Sequence, residues 1–144
     1  DMSKVLFTKE VKIYETVADA NPDLDKTTGR LMSDLMYRHW DDWSDYQFSH
    51  IFVSKIENGK IKDGQDIMEG EKWDAPLAPY FDDSEISWSP DGATIAYTCK
   101  KLYGRDYAIS TNSDIYLYSI DTKETKNISV DNFCSIVMPS LAGA

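Results

Sequence analysis

The densest chemistry in the chain lies in Tyr37-Arg-His-Trp-Asp-Asp-Trp43, which gathers a guanidinium, an imidazole, two indoles and carboxylates within seven residues. Such a set suits a short peptide: indoles pack its side chains, and a carboxylate pairs with its α-ammonium group. Arg38, His39, Trp40, Asp41 and Trp43 are therefore the candidate substrate-binding residues. The competing reading is structural: Trp40 and Trp43 anchor a loop, and Arg38 pairs locally with Asp41.

Signatures of self-contained catalysis fail one by one. The glycines stand at 29, 59, 64, 70, 92, 104 and 143. No two are four apart, which excludes a GxSxG nucleophile elbow, and no two are two apart, which excludes GxGxxG. Gly59 and Gly64 have P-loop spacing, but Gln65 stands where the lysine belongs. The histidines, His39 and His50, cannot form HExxH. Asp19, Asn21, Asp23 and Asp25 occupy alternate positions as in a calcium loop, yet Leu24 replaces its turn glycine and Arg30 its bidentate glutamate. A solvated acidic loop is the better reading, and no cofactor or metal is implied. His50, at the start of a strand, reads as a hydrogen-bonded core or edge histidine.

The elements that must position these residues form an internal repeat. Asp1–Thr8 aligns with Asp91–Thr98 at an offset of 90, and Ser49–Ser54 aligns with Ser113–Tyr118 at an offset of 64. The first copy thus carries 26 extra residues between its two strands, within Tyr14–Gln47. Both strand types alternate β-branched, aromatic and polar residues, as half-buried strands do. Each second strand meets a turn, Glu57-Asn-Gly-Lys60 suiting a type I′ hairpin and Asp121-Thr-Lys-Glu124 its counterpart. Ile86-Ser-Trp-Ser-Pro-Asp-Gly92 reads as a short strand closed by a turn, with Trp88 filling a core layer.

Repeating four-stranded antiparallel units predict an all-β fold, a fragment of a β-propeller of about one and a half blades. Residues 1–70 form a partial blade with its insertion near 14–47. Residues 71–130 form a complete blade with strands between about 84 and 129, and residues 131–144 begin the next. An ordinary antiparallel sheet with two similar hairpins is the alternative. In the insertion, Asp19–Asp25 reads as polar loop. Met32, Met36 and Trp40 at helical spacing predict one or two turns of helix between Arg30 and Trp43.

Composition narrows the partners. The chain has 144 residues, 15 basic and 25 acidic, for a net charge of −10. That acidity disfavours nucleic acid. No apolar run approaches the roughly 18 residues that span a bilayer, so no membrane partner is expected. Cys99 reads as a buried small hydrophobe, and whether it is free or paired with Cys134 stays open. The chain begins at Asp1 without a signal-like segment, as if cut from something longer.

Two segments carry a resemblance. Trp88-Ser-Pro-Asp-Gly92, Ile95-Ala-Tyr97 and Asp114-Ile-Tyr-Leu-Tyr118 resemble the repeat of TolB-like, WD40-type propellers and of prolyl oligopeptidase superfamily propellers. Leu35-Met-Tyr-Arg-His-Trp-Asp41, Trp43, Asp45 and Ser49-His-Ile-Phe-Val53 are similar to the YRHWDxWxD…SHLFV stretch of propellers in acylaminoacyl-peptidase and dipeptidyl-peptidase V type serine peptidases. Tyr46 departs from the usual glycine, and the sequence after Asn132 departs from the expected turn. The resemblance implies a parent with further blades and an α/β-hydrolase domain holding a Ser-Asp-His triad, none of which matches a position here. It implies a non-catalytic segment that admits or positions short peptides, in a periplasmic or otherwise exported parent. The alternative is a TolB-like protein-interaction module. Open sheet faces and strand edges make the chain prone to self-association.

The chain alone is expected to lack peptidase activity. Purified chain should neither turn over a chromogenic dipeptide nor label stoichiometrically with a fluorophosphonate; either result would overturn this reading.

Overall fold

The computed structural model describes residues 3–24 and 26–129. Within them the chain is all-β, dominated by two antiparallel sheets. The expected start of a further blade at 131–144, and Cys134 with it, lie outside the described residues.

The first sheet pairs β1 (Lys4–Lys12) with β4 (Gln47–Glu57) over nine residues, from Lys4 opposite Lys55 to Lys12 opposite Gln47. The second is a meander, β7 (Ile86–Trp88), β8 (Thr94–Cys99), β9 (Asp114–Ser119) and β10 (Thr125–Asn127), each strand pairing with the next. The repeat is written into the pairing itself. Lys4 faces Lys55 and Thr94 faces Ser119, so the sequence offsets of 90 and 64 carry one register onto the other. The aromatic pairs repeat as well: Phe7 stacks on Phe52 at 5.5 Å and Tyr97 on Tyr116 at 5.6 Å.

The turns obey their residues. Asn58 and Gly59 take φ of 53° and 72°, both positive as a type I′ hairpin demands. That hairpin joins β4 to β5 (Lys60–Ile61), after which the chain rejoins β4 as β6 (Gln65–Asp66). Three residues, 62–64, oppose Ser54 and Lys55 between these pieces, a β-bulge. In Ser89–Gly92, the Asp91 carboxylate accepts from the Ala93 N–H at 3.0 Å, and Gly92 holds φ of 68°. Asp82 caps the 3₁₀ turn Asp83–Glu85 that leads into β7.

The core lies between the sheets. Ile51 of the first, Ile95, Tyr97, Cys99, Tyr116 and Tyr118 of the second, and Ile67, Met68, Trp73 and Ala75 of the connection form one buried cluster. Leu6, Val53 and Trp88 pack against it, and Lys4 lies 5.9 Å above the Trp88 ring. Trp88 thus sits where the two sheets meet. Burial pushes the Tyr97 hydroxyl well above its usual range.

The insertion corrects two expectations. No helix forms between Arg30 and Trp43; Arg38–His39 (β2) and Asp42–Trp43 (β3) pair as a short hairpin instead. The Met32–Met36–Trp40 spacing had no apolar surface to bury, and a short helix without tertiary packing is unstable. A single turn forms upstream as α1 (Val17–Ala20), overlapping only the first two residues of the stretch Asp19–Asp25 read as polar loop. Thr16 and Asp19 close a reciprocal capping box there, and Lys12 pairs with Asp19. The bonds from Lys12 and Thr16 hold the Asp19 carboxyl well below the usual carboxylate range. A second short helix, α2 (Gly104–Ile109), joins β8 to β9. Among the described residues no helix is long and apolar enough to cross a membrane.

Cys99 is fully buried with a free thiol, and that burial pushes its pKa up to about 12. Thiolate at pH 8 is then scarcer than for an ordinary cysteine by roughly a thousandfold. Iodoacetamide labelling, located by peptide mapping, should therefore reach Cys99 only after denaturation. Rapid labelling of the folded chain would contradict the packing.

Candidate functional site

The five candidate residues fall on one exposed hairpin. Arg38 pairs across it with Trp43 and His39 with Asp42, leaving Trp40 and Asp41 at the tip. Trp40 takes φ of 49°, a conformation that a bulky residue holds only when its surroundings impose it. Its ring stacks on His39 at 4.6 Å and remains 68% exposed. Trp43 stacks with Tyr37 at 6.2 Å, while Arg38 lies 5.5 Å and Arg30 6.0 Å from its ring centre.

Trp40 and Trp43 are both exposed rather than sunk into the sheets. Among the described residues no ion pair joins Arg38 to Asp41; Arg38 spends its cation on the Trp43 face.

The hairpin walls an open groove of about 490 Å³, lined by Leu35, Met36, Tyr37, Arg38, Trp40 and Trp43. A second groove of about 420 Å³ runs between α1 and residues 27–32, with Trp43 and Tyr46 at its edge. Trp43 separates the two. Apolar walls with a few charged groups are what a short peptide needs for side-chain burial and end recognition.

Tyr46 tethers this layer to the sheet. Its φ of 62° lies in the left-handed region, so the backbone keeps the conformation a glycine would take there. Its hydroxyl donates to the Leu31 carbonyl, its ring meets Tyr14 edge-on at 5.6 Å, and its carbonyl accepts from Ile13 N–H at 3.0 Å. Spacing alone missed Tyr46, Arg30, Leu35, Met36 and Tyr37 as parts of the site. The tip Trp40-Asp41 lacks the Asn-Gly signal of a two-residue turn, so the hairpin that gathers them was not legible.

Below the hairpin, Ser49 and His50 serve structure. His50 is fully buried, its Nε2 3.0 Å from the Glu71 carbonyl oxygen and its Nδ1 2.7 Å from Asp66 Oδ2. Ser49 N–H donates to Asp74 Oδ1 at 2.8 Å, and Ala75 N–H donates to the Ser49 carbonyl at 2.9 Å. Burial raises the Asp74 pKa against the opposing Ser49 bond.

No family profile matches the chain. It is 48% identical over 129 residues to a Porphyromonas gingivalis protein named Dipeptidyl-peptidase 5, covering 90% of this chain and 19% of the relative. The chain is related to dipeptidyl-peptidases. A Porphyromonas endodontalis protein of the same name is 43% identical over 129 residues, covering 90% of the chain and 18% of the relative. An Aspergillus fumigatus Dipeptidyl-peptidase 5 is 29% identical over 108 residues, 69% of the chain and 15% of that protein. The chain spans about a fifth of the length of the two bacterial relatives.

Tyr46→Phe keeps the ring and removes the bond to Leu31, worth about 1 kcal/mol. Trypsin cleavage after Arg30 should accelerate about fivefold while Tm changes little. An unchanged cleavage rate would show that the hydroxyl does not tether the loop.

Proposed function

We propose that the chain is a propeller segment of a dipeptidyl-peptidase type serine peptidase, and that its hairpin helps receive short peptides. The observation that carries this reading is the 48% identity to a protein named Dipeptidyl-peptidase 5 across nearly the whole chain. The two sheets, repeating one register and packed face to face, support their assignment as neighbouring blades. The remaining blades and a hydrolase domain carrying nucleophile, base and oxyanion donors are the partners this reading requires.

The division of labour follows from chemistry. A dipeptidyl-peptidase must count residues from the free amino end, so it needs an anion at that end and apolar surface beside it. Asp41 at the hairpin tip supplies a carboxylate, and the Trp40–Trp43 groove supplies the surface. Arg38, held over Trp43, keeps that wall upright and supplies a donor for a peptide carbonyl.

In a full-length protein carrying this segment, Arg38→Ala and Asp41→Ala should each raise KM for dipeptide substrates several-fold, with kcat and Tm nearly unchanged. Wild-type kinetics in both variants would remove the hairpin from substrate recognition.

A further inference from the structure

One exposed indole carries two cations. Arg38 lies 5.5 Å and Arg30 6.0 Å from the centre of the Trp43 ring. Arg38 lines the groove walled by Trp40, Arg30 lines the groove beside α1, and Trp43 belongs to both. Among the described residues neither arginine enters an ion pair. That is unexpected in a chain of net charge −10 whose insertion is rich in aspartates.

The neighbouring carboxylates are engaged or turned away. Asp34 accepts from Leu35 N–H at 2.8 Å, Asp45 accepts from Gln47 N–H at 3.1 Å, and Asp19 pairs with Lys12. Cross-strand partners share a face, so Arg38 and Trp43 lie on one face of the hairpin and His39 and Asp42 on the other. A guanidinium over a ring keeps its in-plane N–H donors, which match the two oxygens of a carboxylate. Two such forks beside one ring repel each other and leave the spot short of an anion. Apolar surface adjoins them in Leu35, Met36 and Trp40.

We propose that Arg30, Trp43 and Arg38 form a recognition site for an acidic side chain of a bound peptide, an Asp or Glu next to an apolar residue. The carboxylate lies beside Trp43 between the guanidiniums, and the apolar neighbour enters the groove walled by Leu35, Met36 and Trp40. Arg38 has donors enough to serve a peptide carbonyl as well. This site rests on the reading of the hairpin as a peptide-receiving surface and names the peptides it selects. The chain's overall negative charge does not override the pair, because physiological salt screens exposed charges beyond about 8 Å.

Calorimetry on the full chain compares Glu-Phe-Ala-amide with Gln-Phe-Ala-amide, the amide removing the C-terminal charge. The glutamate peptide should bind about tenfold tighter, a preference that shrinks as salt is raised. Arg30→Gln and Arg38→Gln should each cut the preference several-fold, and Arg30→Lys should keep part of it. Equal affinity for the two peptides would overturn the proposal and leave peptide reception standing, whereas failure of both to bind would overturn the two together. A preference undiminished in both glutamine variants would place the responsible cation elsewhere and overturn the proposal. Gln-Phe-Ala with a free carboxyl terminus, binding as tightly as the glutamate amide through the same arginines, would assign the site to chain ends and overturn it too.

Discussion

The buried imidazole of His50 is the joint on which the rest of the structure turns. It faces two acceptors at once, the Asp66 carboxylate and the Glu71 carbonyl, from inside the central strand of the first sheet. A buried ring with an unpaired polar nitrogen would cost a few kcal/mol, so the partners are held wherever β4 goes. Those partners bracket Ile67 and Met68 in the connection, which also supplies Trp73 and Ala75 to the core. Asp66 also accepts from Met68 N–H at 2.8 Å, and Ser49 pins the far end at Asp74 and Ala75. A polypeptide stretch with little regular structure is thereby fixed as the layer between two sheets.

From that layer the positions of the other parts follow. Lys101, just past β8, pairs with Glu71 at 2.5 Å, and Gln65 donates to the Tyr118 hydroxyl at 3.0 Å, so the first part of the connection is tied to the second sheet and the loop after β8. Glu85 accepts from Leu77 N–H and from the Thr98 hydroxyl, closing the path into β7. The insertion leaves β1 after Lys12 and returns at Gln47, where Tyr46 carries it outward. Its aromatic groove is exposed because this framework buries the strands and leaves no core position for the hairpin. A rigid base under an exposed recognition loop is the usual division between scaffold and function.

Much of this was legible in the chain. The two offsets named the strands that repeat, and the observed register repeats with them, because side-chain alternation fixes register wherever one face is buried. Asn58-Gly59 and Pro90-Asp91-Gly92 named their turns through φ preferences that few residues share. His50 read correctly as a hydrogen-bonded histidine, although its partners lie 16 and 21 residues away and no local pattern marks them. The insertion resisted for a physical reason. Met32, Met36 and Trp40 have helical spacing, but periodicity predicts a helix only where a surface waits to bury the stripe. The site was legible as a cluster of residue types and not as a shape. Its hairpin depends on Trp40 in a left-handed conformation and on Tyr46 in another, neither of which composition signals.

A double-mutant cycle isolates the bond between β4 and its connection. His50→Phe and Asp66→Asn should each destabilise the chain in urea, and their effects should fail to add, with a coupling of about 1–3 kcal/mol. Additive losses, with coupling near zero, would show that the connection is held without His50 and would contradict the account.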